Sequence, residues 1–270
     1  MNFADTAPDT GSTTARLKRV YAVFARNVDA ARHPSYLWVM LSGVFEPAFY
    51  LASIGFGVGA LLDSVSFHGS TVDYVPYVAA SMLAASVMNG ALAEATFNFF
   101  TKLRMVRLHD ATALTPVSAW EVAAGEVMWS VAGGAVHSVP FLALMGALGL
   151  TDPSRLPVLF AACLLSSIAF SALGVAAATF LRGTEDFDRV NLIAFAMFLF
   201  SGTFVSPDTY PLHLDVLVMA TPLWHAVSLT RDLAFGHTGW SDLGHVGYLV
   251  ALAVLSCALA SRRLDRLLHA

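Results

Sequence analysis

The stretch Phe195–Gly236 reads FAMFLFSGTFVSPDTYPLHLDVLVMATPLWHAVSLTRDLAFG; it begins as a membrane helix and then breaks off. The apolar run Leu192–Val205 falls short of the roughly 20 residues that a spanning helix needs. Ser206, Pro207, Asp208, Tyr210 and Pro211 interrupt it. A second apolar stretch, Val216–Phe235, carries Pro222, His225, Arg231 and Asp232, which is too polar for a lipid-facing span. By hydropathy alone this second stretch is one more transmembrane helix. With its breakers it reads as a re-entrant helical hairpin, residues 206–235, that dips into the membrane from one side and returns. Irregular backbone at membrane depth is tolerated only where protein or a water-filled cavity covers it, so the hairpin is expected to cap a pathway.

The rest of the chain supports a multi-pass membrane protein. Hydrophobic residues make up 57% of it and charged residues 13%, against roughly 25% charged in soluble domains. The two cysteines, Cys163 and Cys257, sit inside apolar runs and suggest neither a disulfide framework nor a metal motif. Residues 1–13 are polar and read as disordered, and no cleavable signal peptide is expected. From Thr14 to Arg32, Leu17, Val20, Tyr21, Phe24, Val28 and Ala31 share one helical face, with Arg16, Lys18, Arg19, Arg26 and Arg32 largely around the rest. Such a basic amphipathic helix lies on the inner membrane surface, or packs on a partner, or both.

Six spans are expected, at about Tyr36–Leu62, Tyr74–Phe100, Ala119–Gly149, Leu156–Leu181, Val190–Val205 and Leu243–Ser261. Thirteen of the fifteen basic residues then fall on one side, leaving only Arg155 and Arg231 on the other. The positive-inside rule puts that side, with both termini, in the cytoplasm. A seventh crossing at Val216–Phe235 would carry Arg262, Arg263 and Arg266 outside and violate the rule. No internal repeat and no second domain are apparent in residues 14–270.

Between spans two and three, Thr101–Glu126 is cytoplasmic by this count. A short helix is expected over Thr101–Ala113, and a bend at Thr115-Pro116, because proline lacks an amide hydrogen and disfavours helix before it. Ser118-x-x-Glu121 fits a capping box that opens span three. No P-loop is present: neither Lys18 nor Lys102 follows a glycine. If transport is driven by ATP, another chain must hydrolyse it.

Phe200-Ser201-Gly202-Thr203-Phe204, Pro211, Pro222-Leu223-Trp224-His225-Ala226-Val227, Arg231 and Gly236 resemble the membrane subunits (permeases) of type-2 ABC exporters, nearest the branch that exports lipo-oligosaccharide nodulation signals. Asp110-Ala111-Thr112, Leu114-Thr115-Pro116 and Gly125-Glu126 are similar to that family's pattern too. The resemblance implies an all-α fold of six spans in the bacterial plasma (inner) membrane. It makes 101–116 a coupling segment docked on a separate ABC ATPase, with Arg104, Arg107, His109, Asp110, Thr115, Pro116 and Glu126 as candidate coupling residues; the plain alternative is a solvated basic connector. Two ATPase copies would bind ATP and Mg, and the permease would pair with a second copy of itself or a homologous permease. This chain would carry no cofactor, no metal and no catalytic residue, and would bind membrane lipid but no nucleic acid. Substrates would be lipo-oligosaccharides or other glycolipids, with hydrophobic drugs as the runner-up.

Glu46, Glu94 and Glu126 fall about 9–16 Å from the cytoplasmic ends of spans one to three at about 1.5 Å per residue. A charge at the bilayer centre costs roughly 2.5–3.5 kcal/mol, so each must face protein or water. They either line a polar inner vestibule or lock helices together. Glu46, Asn89 and Glu94, with Phe198 and Phe204 as an apolar wall, are the candidate substrate path. Asn89, His137 and Asn191 are also candidates, although lone polar residues in spans more often hydrogen-bond helix to helix. Pro211, Pro222, Trp224 and His225 are the candidate outer gate, although His225 also suits a purely structural role. Rival readings are an ion-coupled transporter that uses the three glutamates as proton sites, and a non-transporting scaffold.

Overall fold

The computed structural model describes residues 12–32, 45, 49–53, 57, 59, 64–106, 115–204 and 214–268. Residues 1–11, most of the first expected span with Glu46, and the segments holding Arg107, His109, Asp110 and Pro211 lie outside the described residues.

Helix α1 covers Thr13–Ala31. Strands β1 (Ser64–Phe67) and β2 (Ser70–Asp73) pair antiparallel, Val65 opposite Val72 and Phe67 opposite Ser70. Their two-residue turn, His68-Gly69, has φ of 49° and 75°, and positive values at both positions mark the turn whose twist matches paired strands. This hairpin corrects the all-α expectation. Its signal was the spacing of Val65, Phe67 and Val72 around a His-Gly pair.

Helix α2 covers Tyr74–Ala93 and continues through π-helical turns at Glu94–Asn98 and Thr101–Met105, 32 residues from Tyr74 to Met105. Thr101–Met105 therefore prolongs the second span instead of opening a separate short helix. Helix α3 is Ala119–Ala147, and α4 is Leu156–Ala178 after a single 3-10 turn at Pro153–Arg155. Helix α5 is Asp186–Leu199, α6 Leu214–Met219, α7 Pro222–Phe235 and α8 Trp240–Leu268. Among the described residues, four helices are long and apolar enough to cross a membrane: α2, α3, α4 with its preceding turn, and α8.

Two further expectations change. The fifth span is not one helix over Val190–Val205. Helix α5 has 14 residues, about 21 Å at 1.5 Å per residue. It gives way to a turn in which Gly202 takes φ 71°, a conformation glycine adopts without a Cβ clash. In the first span, Gly57 and Gly59 lie in turns, so the helix expected over Tyr36–Leu62 does not run through them.

Helix α2 is the centre of the bundle, buried on nearly all sides and packed on α3, α4 and α7. Helix α8 closes the other side of α4, α3 and α7. The core stacks in three layers along α2. Tyr77, Leu83, Phe141, Met145 and Leu159 fill the first, Met88, Phe170, Leu223 and Leu249 the second, and Phe99, Leu103, Val122, Val175 and Leu264 the third. Helix α1 lies across the start of α3, where Gly125 admits Val23: a Cβ there would come within 2.6 Å of the valine.

Candidate functional site

Three assemblies follow from this packing. The first is a cavity of about 690 Å3 between α2 and α5, closed in part by Tyr50 and His137. On α2, Met82, Ala85, Ser86, Asn89, Ala93, Glu94 and Phe97 recur at helical spacing and form one strip of its wall. The strip is apolar towards the β-hairpin end, where Phe195 and Phe198 face it, and polar towards the other, where Asn89, Glu94, Asn98 and Asn191 gather. Asn89, Glu94 and Phe198 of the expected path thus share one cavity with His137 and Asn191. Phe204 stays outside the lining but packs edge-on against Phe198, with centroids 5.2 Å apart. The Trp129 indole and the Asn98 amide donate to the two oxygens of Glu94, the latter at 2.6 Å. His137 donates from Nδ1 to the Gly133 carbonyl at 3.0 Å.

The second assembly is a charge hub where α1, α2 and α3 meet. Ser118 caps α3: its hydroxyl accepts from the Glu121 amide, and Glu121 accepts from the Ser118 amide at 2.8 Å. A side-chain cap of this kind stabilises a helix by about 1 kcal/mol. Glu121 also takes Arg19 of α1 in a two-pronged contact at 2.7–2.9 Å. One turn further on, buried Glu126 receives Arg26 at 2.7 Å, Asn27 at 3.1 Å and Lys102 at 2.8 Å. Arg19 and Arg26 therefore face the protein and not the lipid headgroups. Of the other expected coupling residues, Arg104, Thr115 and Pro116 are exposed near this end.

The third assembly holds α7 at the opposite end. Thr221 caps α7, accepting from the Trp224 amide at 3.3 Å, with Pro222 at the first turn, where its missing amide costs nothing. His225 lies 2.9 Å from His245, Nδ1 to Nδ1, and stacks on Tyr248, whose hydroxyl donates to the Ala220 carbonyl at 2.9 Å. Trp224 sits edge-on to both histidines. Arg231, 4% exposed, donates to the carbonyls of Gly202 and Thr203 at 2.6 and 2.7 Å and lies 3.7 Å over the Tyr77 ring. His68 of the β-turn donates to Asp232 at 2.9 Å, and Arg155 donates to the Ala234 carbonyl at 2.8 Å.

Sequence reasoning passed over the second role of Glu121 and the contributions of Arg19, Lys102, Trp129, Asn98, His68 and Asp232. Only the hub left a trace: two arginines seven apart on α1 and two glutamates five apart on α3.

Long apolar helices around a half-polar cavity, with a charged hub at one end and a doubly broken helix at the other, make this chain a multi-pass membrane protein built for transport. Residues 19–235 match the ABC-2 type transporter family, and the chain belongs to it, as a transport subunit. It is 28% identical over 250 residues to "Nodulation protein J" of Rhizobium leguminosarum bv. trifolii, covering 91% of this chain and 94% of that protein. It is 25% identical over 250 residues to the protein of the same name from Rhizobium leguminosarum bv. viciae, covering 91% and 95%. The Rhizobium meliloti protein of that name is 26% identical over 252 residues, covering 90% and 93%.

Proposed function

We propose that this chain is the permease of an ATP-driven exporter that moves an amphipathic glycolipid, of the lipo-oligosaccharide class, across the bacterial plasma membrane. The observation that carries this is the cavity: apolar at one end and polar at the other, it matches a molecule with an acyl chain and a hydroxyl-rich head. The relatives' name, "Nodulation protein J", agrees with a cargo linked to nodulation. Drug-like amphiphiles are the second reading, favoured by the apolar share of the same wall. The ion-coupled alternative loses one of its three acids, since Glu126 is taken up by Arg26, Asn27 and Lys102.

Six crossings, cytoplasmic termini and a re-entrant hairpin over 206–235 complete the proposal. Support comes from depth. The start of α7 meets α8 at Tyr248 through Ala220, while its end lies beside the start of α8, where the Gly239 amide bonds Asp242. Eight residues of α8, about 12 Å, separate Tyr248 from the start of α8, which supports a turn at 220–221 that lies at membrane depth. In this reading two ATPase subunits bind ATP and Mg and push on 101–116, including Arg104, Arg107, His109, Asp110, Thr115 and Pro116. The hub at Glu126 passes the movement to α1 and α3 in a pair of such permeases, and Pro211, Pro222, Trp224 and His225 gate release. Inverted vesicles that hold the chain and its ATPase should accumulate an acylated oligosaccharide only with ATP. Uptake that follows a proton gradient and ignores ATP would end the proposal.

A further inference from the structure

We propose that the second π-helical turn of α2, Thr101–Met105, is a two-state joint kept in its π form by Lys102. When the Lys102–Glu126 bond parts, the turn tightens to α-helix and rotates the chain that follows. The joint stands on the geometry of α2; its use in moving the 101–116 segment rests on the transport reading.

A π turn closes its hydrogen-bonded ring one residue later than an α turn, and such turns are rare, so neighbouring contacts must hold one in place. Here the Val106 amide donates to the Thr101 carbonyl, five residues back, at 2.9 Å. The two π turns of α2 are held differently. Glu94–Asn98 is locked on several sides: Glu94, Ala95 and Thr96 are buried. The Thr96 hydroxyl donates to the Leu92 carbonyl at 2.6 Å, and the Asn98 amide to Glu94 at 2.6 Å. Gly174 of α4 makes room for Ala95, because a Cβ there would come within 2.6 Å of the alanine. In Thr101–Met105 only Leu103 is buried, while Arg104, Met105 and the following Val106 are exposed. The Thr101 hydroxyl is buried with no partner among the described residues, which raises the free energy of the turn as it stands. Leu103 sits in the inner core layer, and Lys102 donates to Glu126 of α3 at 2.8 Å. Among the described residues, that ion pair is the only polar side-chain contact from this turn to another helix.

Once the pair opens, Met105 takes the place over Thr101 that Val106 now holds, a rotation of about 100° at 3.6 residues per turn. Glu126 also binds Arg26 and Asn27 of α1. Rotation of the segment beyond Val106 and the bonding of the hub are thereby linked, and the link runs in both directions.

The test places spin labels on the full chain in nanodiscs, with Cys163→Ala and Cys257→Ala. One label goes on Val106→Cys and the other on Arg262→Cys of α8 or Lys18→Cys of α1, all exposed positions. Double electron–electron resonance should give one main distance for each pair. Lys102→Met should raise a second distance, displaced by about 5 Å in at least one pair, at least fivefold in population. On the parent chain, 1 M salt should raise the same distance without a substitution. Deleting Arg104 removes the extra residue of the ring, so the turn closes as α-helix with Val106 where it already lies. In that background Lys102→Met should leave the parent distance alone, and deletion of Met105 gives the same closure by a second route. Distances unmoved by both Lys102→Met and salt, or a second distance that survives both deletions, would overturn the joint. The labels read the chain without its ATPase, so that result leaves the exporter reading standing. Loss of ATP-dependent uptake by the parent chain would instead remove the exporter and leave the joint.

Discussion

Where α1 docks, Arg19, Arg26 and Lys102 meet Glu121 and Glu126 in full ion pairs; at the far end, α7 is held by one buried arginine on backbone carbonyls, by His68 on Asp232 and by His225 stacked on Tyr248. Each mode suits its place. The cations of the hub are 19–31% exposed, so their charges cost less to hold. Arg231 has no such access, and its guanidinium satisfies two carbonyls of the turn that follows α5. One end is fastened by charges that stay partly exposed, and the other by a buried cation that keeps a broken helix from closing up.

The largest effect should come from the end without water. Arg231→Met leaves the Gly202 and Thr203 carbonyls buried without a donor and removes the cation over Tyr77. Loss of a buried charged hydrogen-bond network of this kind costs about 3 kcal/mol. Arg231→Lys should recover only part, because an ammonium can donate to both carbonyls, as Nη2 does, but cannot lie flat on the Tyr77 ring. Thermal unfolding in detergent checks both, and a variant that melts with the parent chain would remove Arg231 as the fastener. A smaller loss is expected at the hub. Glu126→Gln weakens two ion pairs whose cations are 31% and 19% exposed. Partial solvation reduces the cost to about 1–2 kcal/mol. Salt should sharpen the contrast: 1 M salt should shrink the Glu126→Gln deficit and leave that of Arg231→Met unchanged. Equal salt responses would mean that the two ends are fastened alike.

How much of this was legible depends on the range of each interaction. The spans α2, α3, α4 and α8, and the capping box at Ser118, are local patterns and can be read from periodicity and spacing. The polar strip of Asn89 and Glu94 could be read because polar side chains inside an apolar helix must face something other than lipid. The hub could not be fully read, since Arg19 and Glu121 are 102 residues apart, and an amphipathic helix looks the same whether its arginines face phosphates or glutamates. The early end of α5 was partly visible in Ser201-Gly202-Thr203. Its cause, Arg231, comes from a segment that composition marks only as too polar to span. The β-hairpin was missed because four-residue strands carry too few alternations to stand out beside long apolar runs.

The smallest predicted effect lies at the start of α5, where Asp186 departs from the ion-pair rule. This carboxylate, at the start of α5, accepts from the Arg182 backbone amide at 2.8 Å and from Arg189 at 2.7 Å. The amide of Arg182, helped by the charge of Arg189, holds the Asp186 carboxyl below the usual aspartate range. A depressed folded-state value stabilises the folded chain above the unfolded pKa of about 4, and that contribution fades as pH falls through the lower folded value. Between pH 7 and 5 Asp186 should therefore contribute a constant amount, and Asp186→Asn should lower the melting temperature by the same small step at both. Below pH 4 the two chains should converge. A gap between them that instead widened on acidification would mean that the acid is stabilised in its protonated form. The link between α4 and α5 would then be a neutral hydrogen bond, and the contrast between the two ends would fail at this corner.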